Sequence, residues 1–326
     1  MLLKGEYLCD IFDMNIRKTK VNNMIYYKIE ESFEEWESID GYNGNLVKIV
    51  SNSELKEMLS CKEVTKDCIP NYKNTQCCRA KVHPSLVSVC FSTVTKDKKM
   101  NRHNFGFIIK SNEVIFIDNS GFVRTTIKKI KKNKFHGGTK IGRFLYDFLE
   151  TVIESDLRYL EEMGDRLIKM ESALIRGIVK DFSRLMADFK KEMLMFYRYY
   201  TQLVDLGDEL IENENRFFSQ DEINLFEKYV KRAERLREET QFLRETSNQL
   251  RGVYSSQLDA KQNKIMKVLT VVTTVFMPLS ISTAWYGMNF FDMPELTWKW
   301  GYEVFILGNL LIIILCVWYL KKKKFL

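Results

Sequence analysis

Histidine, proline and ordered cysteine are scarce in this sequence, and each shortage removes a class of protein. The three histidines, His83, His103 and His136, stand at no helical metal-ligand spacing, which speaks against a protein-ligated zinc site. The seven cysteines, at 9, 61, 68, 77, 78, 90 and 316, are odd in number and form no CxxC pair, so reduced thiols are expected rather than a disulfide framework. Neither GxxxxGK nor GxGxxG occurs, so no nucleotide-binding loop and no catalytic role are expected. Residues 1–10 lack the ordered basic and apolar regions of a signal peptide. With 45% hydrophobic and 29% charged residues the chain is too polar for a many-span transporter.

What is present in excess is apolar length near the C-terminus. Residues 268–291 carry no charged side chain, and at about 1.5 Å per helical residue that run exceeds an apolar slab of about 30 Å. Residues 304–320 form a second such run, flanked by Trp298, Trp300 and Tyr302 before it and closed by Trp318 and Tyr319, the aromatic placement of membrane interfaces. Lys261, Lys264 and Lys267 precede the first run and Lys321, Lys322, Lys323 and Lys324 follow the second, which places both edges on the cytoplasmic side. The loop 290–303 sets Asp292, Glu295 and Glu303 against Lys299 and is expected outside. A multi-pass plasma-membrane protein with both termini cytoplasmic follows.

The preceding sequence reads as soluble machinery. Residues 1–138 form an α+β cytoplasmic domain, with strands expected at 24–29, 45–50, 86–94, 105–109 and 114–117 and a helix capped by Ser53. The basic stretch 124–140 reads first as a solvated helix face, with anionic headgroups or RNA as the other reading; no nucleic-acid partner is expected. Gly137-Gly138 marks a boundary. Residues 139–218 make a helical hairpin: one stripe runs from Phe144 to Leu174 and a second helix covers about 182–213, with no proline in 141–214.

The capping box Ser219-Gln220-Asp221-Glu222 opens a stalk helix, 219–267, that continues into the first apolar segment, 268–289. Continued to Tyr286, this helix would be on the order of 100 Å long. Tyr229, Ala233, Leu236, Thr240, Leu243, Ser247, Leu250, Tyr254 and Gln257 recur at steps of three and four, a seam that turns small and polar and is expected to line a wet axial passage. The same face continues through Asn263, Met266, Thr270, Thr273 or Thr274, Met277, Ser280 or Ile281, and Ala284. Hydroxyls there either line a passage or bond the preceding turn. Pro278 is expected to bend the helix. Two helices cannot enclose a pore, so a channel needs several copies.

The ordered set Asn263-Lys264-Ile265-Met266-Lys267-Val268-Leu269-Thr270, Phe276-Met277-Pro278-Leu279, Tyr286-Gly287-Met288-Asn289-Phe290, Met293-Pro294-Glu295-Leu296 and Trp298-Lys299-Trp300-Gly301-Tyr302, closed by the lysine run, resembles the CorA family of two-span divalent-cation channels. The resemblance implies a homopentameric channel in membrane lipid, with Gly287, Met288 and Asn289 as the selectivity segment at the outer mouth. It further implies pore constrictions at Asn263, Leu269, Met277 and Ser280, the last a departure from the family's usual threonine, on a pore line to which the helical face adds Met266, Thr270 and Thr273. A ring of Asn289 amide oxygens suits hydrated Mg²⁺, which sheds water reluctantly. Asp292 and Glu295 would attract cations to the mouth. The family's regulatory Mg²⁺ sites imply Asp221, Glu222 and Glu227 as carboxylates here; ungapped counting from Asn289 puts Lys228 where a sensing carboxylate would fall.

The expected function is Mg²⁺ influx, with Mg²⁺ both transported and regulatory and no organic cofactor. Co²⁺, Ni²⁺ or Zn²⁺ transport on the same fold is an alternative, and a non-conducting, membrane-tethered sensor or scaffold is a second.

Overall fold

The computed structural model describes residues 25–29, 33–36, 44–51, 54–55, 70, 78–96, 101–132, 139–177, 181–288, 293 and 298–323. The expected cap Ser53, the Gly137-Gly138 boundary, and the mouth residues Asn289, Asp292 and Glu295 lie outside them. The chain divides into two compact units, Met1–Asn248 and Gln249–Leu326.

The first unit is built on a seven-stranded sheet: β1 (Ile25–Ile29), β2 (Phe33–Trp36), β3 (Leu46–Val50), β4 (Arg79–His83), β5 (Leu86–Val94), β6 (Arg102–Lys110) and β7 (Glu113–Ile117), in the order β2-β1-β3-β7-β6-β5-β4. β3 and β7 pair in parallel and every other neighbouring pair is antiparallel. β2 and β4, which no apolar run announced, are the two edges of the sheet. Their sequences, FEEW and RAKVH, carry charge, as edge strands do to discourage further pairing.

Register decides which side chains share a face. Phe91 lies opposite Phe105 and Phe107 opposite Phe116, so period-two alternation puts all four rings on one side. Helix α1 (Phe122–Lys132) follows, then α2 (Ile141–Ile153), whose Phe144 and Phe148 pack on that side; Phe148 lies 4.8 Å from Phe116 and 5.9 Å from Phe105, ring centre to ring centre. Val50, Ile108, Ile115 and Ile117 form a second core with Leu55 and Leu86. In α1 the buried face is Val123, Thr126, Ile127 and Ile130, and Lys128, Lys129, Lys131 and Lys132 are exposed. The described part of the basic stretch is therefore a solvated helix face.

The helix beginning at Glu54 is capped by Ser51. The Ser51 amide donates to the Glu54 carboxylate (2.6 Å) and the Glu54 amide to the Ser51 hydroxyl (3.4 Å), the reciprocal pair of a capping box.

The stripe expected as one helix is two. After α2 the chain turns at Glu154-Ser155 and resumes as α3 (Asp156–Ile175). No proline or glycine causes the break. Asp156 is buried, accepts from the Tyr200 hydroxyl at 3.0 Å and pairs with Lys96, which also donates to Ser155. Burial pushes the Asp156 carboxyl up, and Lys96 opposes that shift.

α4 (Phe182–Glu212) packs on α3: the Tyr159 ring lies 5.0 Å from Phe196 and its hydroxyl donates to Glu192, which Arg166 also approaches at 3.4 Å. A turn held by Asn213, left-handed at φ 45°, leads into α5 (Gln220–Tyr286); the Asn213 side chain donates to the Phe218 carbonyl (2.8 Å) and accepts from its amide (3.2 Å). The chain closes with α6 (Gly301–Lys322).

The α5 seam differs from expectation in role. Tyr229, Ala233, Leu236, Thr240, Leu243 and Ser247 are buried within the single chain. Ser247 bonds the Met186 sulfur at 3.8 Å, Arg244 stacks 4.9 Å from the centre of the Tyr197 ring, and Leu243 approaches Gly164. Thr240 donates to the Leu236 carbonyl (2.8 Å). These residues pack against the chain's own hairpin and line no wet passage. Small side chains recur because they face close-packed helices.

Candidate functional site

The second unit holds the C-terminal part of α5, from Gln249, and α6. Both helices are long and apolar enough to cross a membrane. α5 remains helical through Pro278 to Tyr286.

Two faces of α5 separate at about 100° per residue. Val271, Thr274, Val275, Pro278, Leu279 and Ser282 are half-buried and recur at helical spacing. On α6 a matching stripe is half-buried at Gly301, Phe305, Asn309, Ile312, Ile313 and Cys316 and closes on buried Leu320. The stripes meet where Tyr286 and Phe305 form an edge-on ring contact at 4.8 Å. On the other side of α5, Asn263, Met266, Leu269, Thr273, Met277 and Ser280 are exposed, and Thr270 is half-buried at the margin. The sequence left Thr273 and Thr274 as alternatives for the open line; burial separates them and puts Thr273 there.

Three hydroxyls on this helix bond backward. Thr270 donates to the Met266 carbonyl (2.8 Å), Thr273 to Leu269 (2.9 Å) and Thr283 to Leu279 (2.9 Å). Their protons are satisfied by the helix, and both lone pairs of each oxygen are left as acceptors.

At the end of α5 the Gly287 amide donates to the Thr283 (3.0 Å) and Ala284 (3.2 Å) carbonyls, and the Met288 amide to Trp285 (3.3 Å). A Cβ at Gly287 would stand 3.3 Å from the Thr283 carbonyl oxygen, so a bare Cα lets this terminal turn tighten. Gly287 and Met288 are exposed, directly above the open line, and Asn289 follows in sequence.

The candidate regulatory carboxylates divide. Glu222 is buried: one oxygen accepts from the Gly142 amide (2.8 Å), the other from both the amide and the hydroxyl of Ser219 (2.8 Å each). It is a capping and docking residue, and the expectation of a regulatory ligand there gives way to that role. Asp221 and Glu227 are exposed, as is Lys228. Among the described residues no group of three or more His, Cys, Asp or Glu side chains gathers as a metal site within one chain.

Motif and period say nothing of Asn309, which the structure brings forward. Its amide nitrogen donates to the Phe305 carbonyl (3.0 Å), and its amide oxygen is buried without a hydrogen-bond partner among the described residues. The available signal was one carboxamide in the middle of an uncharged, largely aliphatic run.

Comparison with known proteins bears on this arrangement. A family model described as CorA-like Mg²⁺ transporter protein matches residues 50–322. The cobalt/magnesium transport protein CorA of Thermotoga maritima is 28% identical over 182 residues, 56% of this chain and 52% of that protein. The magnesium transport protein CorA of Wolinella succinogenes is 42% identical over 77 residues, 24% of each chain. The chain thus spans about half the length of the first relative and a quarter of the second. The zinc transport protein ZntB of Yersinia pseudotuberculosis is 22% identical over 190 residues, 58% of each. The CorA magnesium transporter structure from Methanocaldococcus jannaschii superposes with a TM-score of 0.75 at 19% identity, covering 93% of this chain and 98% of that one. At that identity the match concerns fold, and it extends over the α+β unit, the long helix and the two apolar helices. Because the family model spans well over half of the sequence, this chain belongs to the CorA-like Mg²⁺ transporter family.

Proposed function

We propose that the chain forms a homopentameric channel that conducts Mg²⁺ into the cell down its electrochemical gradient. The observation that carries this is the two-faced α5: one stripe is covered by α6, and the opposite line from Asn263 to Ser280 is exposed, carries no charged residue at its named positions and runs up to Gly287-Met288. An anchor needs no such line. Copies arranged about an axis would turn it inward and set five Asn289 side chains at the mouth. Neutral amide oxygens hold a hydrated divalent ion without stripping it, whereas a carboxylate ring would bind too tightly to release it. Met266, Leu269 and Met277 supply apolar constrictions that close by dewetting. Asp292 and Glu295 raise the local cation concentration outside. A membrane potential of 100 mV contributes about 2.3 kcal/mol per charge to inward movement.

The orientation follows from the lysines flanking both apolar helices, which favour the cytoplasmic side for both termini. Cytoplasmic Mg²⁺ regulates by binding the closed assembly more tightly than the open one, with Asp221 and Glu227 as the exposed carboxylates. Co²⁺ is a second permeant ion, supported by the name of the Thermotoga relative.

The test is uptake into proteoliposomes containing an ion-sensitive dye, comparing the native chain with Asn289→Ala for Mg²⁺, Co²⁺, Ni²⁺ and Zn²⁺ in turn. Native conduction of Mg²⁺ with selectivity lost in the variant is expected. No native conduction, or equal leakage by both proteins, would overturn the reading.

A further inference from the structure

Six exposed lysines gather at one end of the second unit. Lys261, Lys264 and Lys267 lie on α5; Lys321, Lys322 and Lys323 end α6. Lys264 and Lys267 stand three and four residues apart from one another and from Val271, on the stripe that continues through Thr274 and Pro278 toward α6. The ring contact between Tyr286 and Phe305 sets the register of the helix pair. Equal counts back from Tyr286 and on from Phe305 bring Val268 level with Lys323, so Lys267 lies one residue beyond the described end of the chain's last helix. The two lysine groups therefore share one edge, and those of α5 occupy the side turned away from Met266 and Leu269.

Among the described residues no carboxylate of this unit neutralises them. Its described acidic residues are Asp259 and Glu303. Asp259 falls four residues before Asn263, on the open line, and Glu303 lies at the far end of α6. Among the described residues none of the six lysines takes part in an ion pair. Lys322 lies 5.1 Å over the Trp318 ring, which holds its ammonium beside an aromatic residue suited to a membrane interface. Like charges at helical spacings of three and four residues repel one another and call for a counter-charge.

We propose that this edge binds the phosphate headgroups of anionic phospholipids. The cluster sits where the apolar surface of both helices ends, so the acyl chains of the same lipid can lie along α5 and α6 as its phosphate meets the lysines. Clusters of four to eight basic residues at a membrane edge attract anionic lipid at about 1 kcal/mol per residue, roughly fivefold each. The proposal rests on the membrane reading of the two helices and not on conduction.

The test uses the full chain in nanodiscs with spin-labelled phosphatidylglycerol or phosphatidylcholine, reading the motionally restricted lipid fraction. The native chain is expected to favour phosphatidylglycerol by about fivefold or more. The double variant Lys264→Gln/Lys267→Gln, which keeps the C-terminal lysines that help set topology, is expected to lose most of that preference, and Lys264→Arg/Lys267→Arg to retain it. Excess inorganic phosphate should not release the lipid. Equal retention of both lipids by the native chain would overturn the proposal and assign the lysines to carboxylates of another chain; release by inorganic phosphate would reassign them to the free anion. Absence of restricted lipid of either kind would overturn the membrane reading as well. Lipid preference without Mg²⁺ uptake would support this site and count against conduction alone.

Discussion

Glu222 shows how one carboxylate can be read two ways. The family resemblance sets it with Asp221 and Glu227 as a cation ligand, but its two oxygens already accept from Gly142 and Ser219. Glu222→Ala would leave those donors without their acceptor and is expected to cost about 1–3 kcal/mol of stability. Thermal unfolding of the full chain in detergent would report it as a lowered midpoint, with protection from protease by millimolar Mg²⁺ retained below that midpoint. Asp221→Asn with Glu227→Gln is expected to do the reverse, leaving the midpoint near native and reducing protection. If the paired variant keeps full protection, these two residues are not the sensor.

Among the elements, the α4–α5 contact has the least slack. A Cβ added at Gly207 would fall 2.4 Å from the Val230 Cγ2 atom, and Val230 is β-branched and stiff, so the helices must separate to admit it. Gly207→Ala is expected to destabilise by about 1–3 kcal/mol. Gly252 gives the opposite sign: it is exposed in the same α5, with nothing within 4 Å of its added Cβ. Gly252→Ala is expected to stabilise by about 0.5–1 kcal/mol through helix propensity. Denaturant unfolding of both variants checks the pair, and equal effects would show that propensity, not close approach, governs α5.

Across the whole molecule, the buried phenols set an alkaline limit. Burial raises the hydroxyls of Tyr199 and Tyr200 well above the usual value of 10.0, and burial with the Glu192 hydrogen bond raises Tyr159. A phenol whose folded value lies above its unfolded one contributes stability that is fully present below pH 10 and lost as pH climbs through the folded value. The three groups favour the folded state most while protonated. Stability is therefore expected to hold up to about pH 10 and then fall, with phenolate absorbance from these three residues appearing together with loss of helical circular dichroism. Their ionisation while the helical signal is intact would contradict this burial.

The two apolar helices, the opening of α5 at its capping box, the central strands and the solvated side of α1 were all legible because each follows from local rules: length without charge, a cap, alternation, helical period. The edge strands β2 and β4 were hidden because a strand paired on one side needs no apolar run. The turn at Glu154-Ser155 was hidden because Lys96, remote in sequence, draws Ser155 and Asp156 together. Period alone could not say whether the α5 seam met water or protein; the hairpin packed against it decided that. Nor could it choose between Thr273 and Thr274 or withdraw Glu222 from the cation ligands, since both outcomes depend on which neighbour reaches the side chain first. The sequence by itself determined the central strands, the cap of α5, the long helices of the second unit and the two apolar runs, and carried the resemblance to the family; the tertiary structure decided the sheet edges, the break between α2 and α3 and which faces remain open, because burial is a property of pairs of elements and not of either one.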